Sequence, residues 1–148
     1  MLKKILQKEC ILLFVFAVAC IMLVGCGDEV SSKSDAISVK AEDMLNDYIK
    51  DQEAADKKYN NKTVNVTGQV LHKNQFSNST HFLVILAHQE VQDKNYHITI
   101  AIPSEMVEIV NKAEEGKYLS VEGICVGVVP QENPKMISIQ IDAKKIHQ

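Results

Sequence analysis

Two stretches of this chain share one pattern, and that pattern limits the possible folds more than any other feature. Thr63-Val-Asn-Val-Thr-Gly-Gln-Val-Leu71 is echoed by Leu119-Ser-Val-Glu-Gly-Ile-Cys125. Val64, Val66, Gly68 and Val70 align with Leu119, Val121, Gly123 and Cys125, so apolar and polar residues alternate and a glycine stands where an apolar side chain is expected. Alternation with period two marks a half-buried strand. A glycine inside such a strand marks a bulge or a tight corner, where one strand bends out of one sheet into another. Two bent strands predict a small closed barrel.

At 148 residues, 46% of them hydrophobic, the chain holds one domain with a real core. Its beginning reads differently. Lys3, Lys4 and Lys8 form a basic head, followed by the uncharged apolar run Ile11 to Val24. This is the pattern of a signal peptide over residues 1–25, and the run is shorter than the roughly 20 residues a spanning helix needs. The run ends in Leu23-Val-Gly-Cys26, which resembles the lipobox of bacterial lipoproteins. Cys26 is therefore the expected lipidation site, with Ala17-Val-Ala-Cys20 a poorer match. A diacylglyceryl, palmitate-type anchor on Cys26 would hold the chain to the extracytoplasmic side of a bacterial membrane, in the cell envelope. Residues 26–38 then read as a polar linker, and residues 39–148 as the folded domain.

Of four cysteines, cleavage would leave Cys26 and Cys125. Cys125, between Ile124 and Val126, fits a small buried core residue better than a nucleophile, since no neighbouring His or Asn would activate it. From Cys26 onward 13 lysines face 18 carboxylates, a balance of −5, and the chain has no arginine. An acidic domain without guanidinium groups disfavours nucleic acid as a partner, because generic binding of that kind rests on a basic footprint.

From Val39 to Tyr59, Ala41, Leu45, Tyr48, Ile49, Ala55 and Tyr59 recur at spacings of three and four, which predicts one amphipathic helix capped by Ser38. Strand one spans Thr63 to Leu71, and 72–80 is a polar loop carrying Phe76. Strand two, Phe82 to Ala87, is apolar on both faces and so demands cover on both sides, with the helix the first candidate. A turn over Glu90 to Asn95 leads to strand three, Tyr96 to Ile102. Ser104 to Asn111 is a short helix capped by Ser104, Tyr118 to Val129 is strand four, and Ile137, Ile139 and Ile141 alternate along strand five. The tail from Lys144 is expected to fray. A helix, three strands, a short helix and two strands, with strands one and four bent, give a mainly β fold: a five-stranded OB-fold barrel with the short helix between strands three and four.

Ala54-Ala-Asp-Lys-Lys-Tyr59, Lys62-Thr-Val-Asn-Val-Thr-Gly-Gln-Val70 and Val121-Glu-Gly-Ile-Cys-Val-Gly127 resemble the tRNA-anticodon-domain-like OB-fold family of bacterial lipoproteins. The likeness spans roughly Val39 to Ile146. It implies an OB barrel preceded by a helix, and it brings no catalytic residues with it.

No phosphate-cradling glycine loop, nucleophile elbow or catalytic carboxylate pair is present. The chain is expected not to be an enzyme and to need no cofactor. His88 and His97 could face each other across the hairpin of strands two and three, but no HxH or HxxxH spacing occurs, and no metal site is expected. OB-folds bind on strands two and three and on the loops joining strands one to two and four to five. Here that surface offers Phe76, His81, Leu83, Ile85, His97, Thr99 and the loop from Gln131 to Lys135. The expected function is a lipid-anchored, non-catalytic binding or assembly module for an envelope protein, peptide, glycan or small amphiphile. The rival is an oligonucleotide or oligosaccharide binder using the same face.

Overall fold

The computed structural model describes residues 35–75 and 82–147. The leader, Cys26, Phe76 and His81 lie outside the described residues. In chain order the elements are β1 (Ile37–Lys40), α1 (Ala41–Lys50), α2 (Gln52–Tyr59), β2 (Thr63–Gln69), β3 (His72–Gln75), β4 (Phe82–Val91), β5 (Lys94–Ile102), a 3₁₀ turn (Ser104–Met106), α3 (Val107–Lys112), β6 (Tyr118–Val129) and β7 (Met136–His147). Among the described residues, no helix is long and apolar enough to cross a membrane.

The strands form one seven-stranded sheet in the order β1-β2-β6-β7-β5-β4-β3, rather than the five strands expected. Its inner face is the core. Val64 and Val66 of β2, Ile98, Ile100 and Ile102 of β5, Val121 and Cys125 of β6 and Ile139 and Ile141 of β7 are all fully buried. Each such aliphatic side chain contributes about 1.5–3 kcal/mol of burial. Cys125 is a free, buried thiol, and burial pushes its pKa up. Met44, Leu45 and Tyr48 of α1 complete the core.

The extra strands have a local cause. Between β2 and β3 the chain changes partner: the Val70 N–H donates to Lys117 O at 2.8 Å, beside β6, and the next N–H, of Leu71, donates to Ile85 O at 2.9 Å on β4. The strand expected over Thr63 to Leu71 thus ends at Gln69, and the stretch 72–75, expected as loop, is β3. The linker expectation also fails at its end. Ile37 and Val39 pack against the core as β1, paired in parallel with Val64 to Thr67 of β2. Ser38 lies within that strand and caps nothing; the helix begins after Lys40, which makes no side-chain cap bond.

The single expected helix is two. Asp51 leaves helical geometry (φ −158°, ψ 96°), its N–H closes α1 on Asp47 O, and its carboxylate accepts the Ala54 N–H at 3.0 Å to cap α2. Ser104 likewise caps nothing, since the 3₁₀ turn starts from Pro103 without a side-chain bond. The carboxy-terminal tail does not fray: Lys145, Ile146 and His147 extend β7 against Glu122, Val121 and Ser120.

The two glycines of the repeat do different work. At Gly123 an added Cβ would stand 2.4 Å from Asp142 O, at a bulge in the β6–β7 ladder between Glu122 and Gly123. At Gly68 it would stand 2.8 Å from the Ala41 Cβ and 3.0 Å from Leu86, so this glycine admits the start of α1 and β4 to the face of β2. Close approach, not a corner, explains Gly68.

Candidate functional site

The outward face of β4 and β5 collects the residues expected to meet a ligand. Leu83 opposes Ala101 and Ile85 opposes Thr99 across the β4–β5 ladder. A bulge between Ile85 and Ala87 then turns both Leu86 and Ala87 inward, where they are 1% and 3% exposed, and restores His88 to the outer face opposite His97. That bulge explains the apolar run of β4. The cover over its outer face is not the helix, because α1 packs on the inner side, with Ala41 against Gly68. Leu83 and Ile85 stay half-buried on the outside.

β7 runs parallel to β5 and extends this face with Ser138, Gln140 and Asp142, opposite His97, Thr99 and Ala101. Thr99 and Ser138 hydroxyls are bonded at 2.8 Å, and the Thr99 hydroxyl also donates to Ile139 O at 3.2 Å. Gln140 Nε2 donates to Asp142 Oδ1 at 2.7 Å. On the other flank β3 sets His72 opposite Ile85 and Asn74 opposite Leu83. These side chains are mostly neutral donors and acceptors around a small apolar centre.

The imidazoles of His88 and His97 stack with centroids 4.7 Å apart at 21°. His88 Nε2 lies 3.3 Å from Asn95 Oδ1, whereas both ring nitrogens of His97 are buried without a protein partner. Burial, aided by the neighbouring His88, holds the His97 pKa below the ordinary imidazole value. Stacked rings do not aim their nitrogens at one point. Among the described residues, no three His, Cys, Asp or Glu side chains group as metal ligands.

One end of the face is closed by the loop from Gln131 to Lys135. It is tied to β5 by the Asn95 N–H, which donates to Lys135 O at 2.7 Å, and braced internally by Asn133 Oδ1 accepting the Lys135 N–H at 3.0 Å. Lys73 of β3 is engaged elsewhere, its ammonium bonded to the Val110 and Ala113 carbonyls at the end of α3. His72 Nδ1 pairs with Glu115 at 3.2 Å.

Of the six residues expected at the site, Leu83, Ile85, His97 and Thr99 are brought together, while Phe76 and His81 lie outside the described residues. Sequence reasoning missed Ser138, Gln140 and Asp142. Their alternation with the isoleucines of β7 was a visible signal for an outward face, but not for which strand lies beside it. It also missed His72 and Asn74, since four residues following a partner change carry little periodicity.

The sequence profile of the tRNA_anti-like family matches residues 1–138. None of the curated proteins matches the chain. Three solved structures illustrate the likeness. A "putative aspartyl-tRNA synthetase" from Leishmania major Friedlin aligns at TM-score 0.49 and 14% identity over 81% of this chain and 22% of its own, so this chain spans about a fifth of it. A "putative nucleic acid-binding lipoprotein" from Klebsiella pneumoniae subsp. pneumoniae MGH 78578 aligns at 0.49 and 17%, over 71% of this chain and 87% of its own. A small single-stranded DNA binding protein from Mycoplasma pneumoniae aligns at 0.41 and 17%, over 58% and 91%. The family match overturns the expectation that nucleic acid is a disfavoured partner. The net charge of a whole domain was a poor guide, because a sum over all side chains records nothing of how charge is spread over the surface.

Proposed function

Because this chain belongs to the tRNA_anti-like family, we propose that it is a non-catalytic OB-fold module that takes a short single-stranded oligonucleotide across the outward face of β3, β4, β5 and β7. In this reading β2 and β3 act as one bent strand of a five-stranded barrel, since only Val70 and Leu71 separate them. The observation that carries it is the single contiguous face formed by Leu83, Ile85, His97 and Thr99 with the polar row of β7. Apolar side chains and the exposed His88 ring offer surfaces for bases, and the amides of Asn74 and Gln140 offer hydrogen bonds to base edges, while the Thr99 and Ser138 hydroxyls, each 6% exposed and bonded to one another, brace the face from beneath.

Fluorescence anisotropy with a labelled 12-nucleotide single-stranded RNA or DNA tests it. Saturable binding that weakens at least tenfold in Leu83→Asp supports the reading, and its absence at every salt concentration removes it. Because the face carries few free cations, log K should fall with log salt by a slope of about −1.4 or shallower, as for two phosphates on a single strand. A steep slope would place binding on some other, more basic surface.

The same proposal includes the address: a lipid anchor at Cys26 in the cell envelope, following a leader over residues 1–25. The Leu23-Val-Gly-Cys26 sequence supports it. In cells, Cys26→Ala should move the protein out of the membrane fraction. Unchanged partitioning would remove the tether without touching the binding reading.

A further inference from the structure

The stacked imidazoles of the outward face owe their pairing to an irregularity in β4. Had that strand kept strict alternation from Leu83 and Ile85, the next outward positions would be Ala87 and Gln89. The bulge between Ile85 and Ala87 brings His88 out instead and sets it opposite His97. The two rings differ in what each can do with a proton. Both nitrogens of His97 are buried with no partner among the described residues, so a second N–H there would be desolvated and unpaired. His88 is exposed, and its Nε2 lies 3.3 Å from Asn95 Oδ1, an acceptor placed for a ring N–H. With centroids 4.7 Å apart, two protonated rings would repel each other, so a first proton opposes a second. Burial and the neighbouring His88 also hold the His97 pKa down.

The surroundings give that single proton weight. β3 begins at His72, opposite Ile85, and does not reach His88; β7 sets the neutral Ser138 opposite His97. The charged residues of the adjoining elements are Glu90 on β4, Asp93 and Lys94 at the hairpin turn, and Glu132 and Lys135 on the loop tied to Asn95. None of the five is ion-paired among the described residues. Three carboxylates against two ammonium groups leave this end slightly negative at neutral pH, which opposes a phosphodiester; one positive imidazole removes the excess. We infer, on the oligonucleotide reading of this face, that the histidine pair makes binding acid-responsive: it takes one proton, on His88, which meets a phosphate of the strand, so the strand binds more tightly as pH falls.

The test is fluorescence anisotropy of the full chain in detergent micelles with a labelled 12-nucleotide oligothymidylate, whose bases do not titrate between pH 7.5 and 5.5, alongside imidazole NMR of the free protein. Affinity is expected to rise toward acid by up to about tenfold per pH unit, the limit for one linked proton, and the salt slope to steepen by about 0.7, as for one more phosphate. His88→Phe keeps a ring without a proton site and should flatten the profile. His72→Gln removes an imidazole that pairs with Glu115 instead and should keep the rise. In the NMR titration the proton should appear on His88 before His97. Saturable binding independent of pH, a rise that survives in His88→Phe or is lost in His72→Gln, or protonation of His97 first would overturn the inference and leave the oligonucleotide reading standing. Absence of binding at every pH would overturn both.

Discussion

At the scale of single residues, Gly123, Gly68 and His97 each have a measurable role. A methyl at Gly123 would press on the Asp142 carbonyl, which belongs to the backbone and cannot swing aside. Gly123→Ala should therefore cost about 1–3 kcal/mol in urea unfolding, the usual scale of overpacking. Gly68→Ala meets the Ala41 methyl, on a helix start with some freedom to shift, and should cost less. Equal stability of both variants and the parent would refute this account of the repeat. His97 gives a pH dependence. Its folded pKa lies below its unfolded one, so as pH falls through about 6.5 the unfolded chain takes up the proton first. Its contribution is complete above that value and is lost progressively as pH falls toward the folded pKa. Unfolding free energy measured from pH 7.5 to 5.5 should decline in the parent and decline less in His97→Asn. Parallel curves would exclude a buried neutral imidazole.

At the scale of elements, the joint between α1 and α2 and the last turn of β7 test how firmly local devices hold. Asp51 alone caps α2 through its side chain, so Asp51→Ala should cost about 1 kcal/mol, seen as a lower urea midpoint at unchanged slope. Removing Lys144 to Gln148 strips the pairing of β7 with Ser120 to Glu122 and takes away Ile146, which packs against the core. A loss of about 2 kcal/mol is expected; a truncated chain as stable as the parent would mean the strand extension is idle. The neighbouring Asp47 carboxylate is held below its ordinary pKa by bonds from Lys58 and Tyr59. Its small contribution is present above pH 3.8 and fades as acid protonates it.

At the scale of the whole molecule, the arrangement of strands decides what the surface can do. The face proposed for the oligonucleotide exists because β5 lies between β4 and β7, placing residues 83 and 140 on one surface although more than fifty positions separate them. Among the described residues the sheet ends at β1, which pairs only with β2. Much of this was legible beforehand. Alternation over Thr63 to Leu71 and Leu119 to Cys125 identified strands and their inward faces, and the aligned outward residues of β4 and β5 followed from the same period. Such readings work because side-chain direction in a strand depends only on its own backbone. The errors share one cause as well. Ile37 to Lys40 and Lys144 to His147 are strands solely because β2 and β6 offer them edges, and the break between β2 and β3 arises where the chain exchanges one partner for another. The sequence by itself determined which residues turn inward; only the tertiary structure decided where the helices start and which strands are neighbours, because pairing is a choice among distant edges that no local periodicity records.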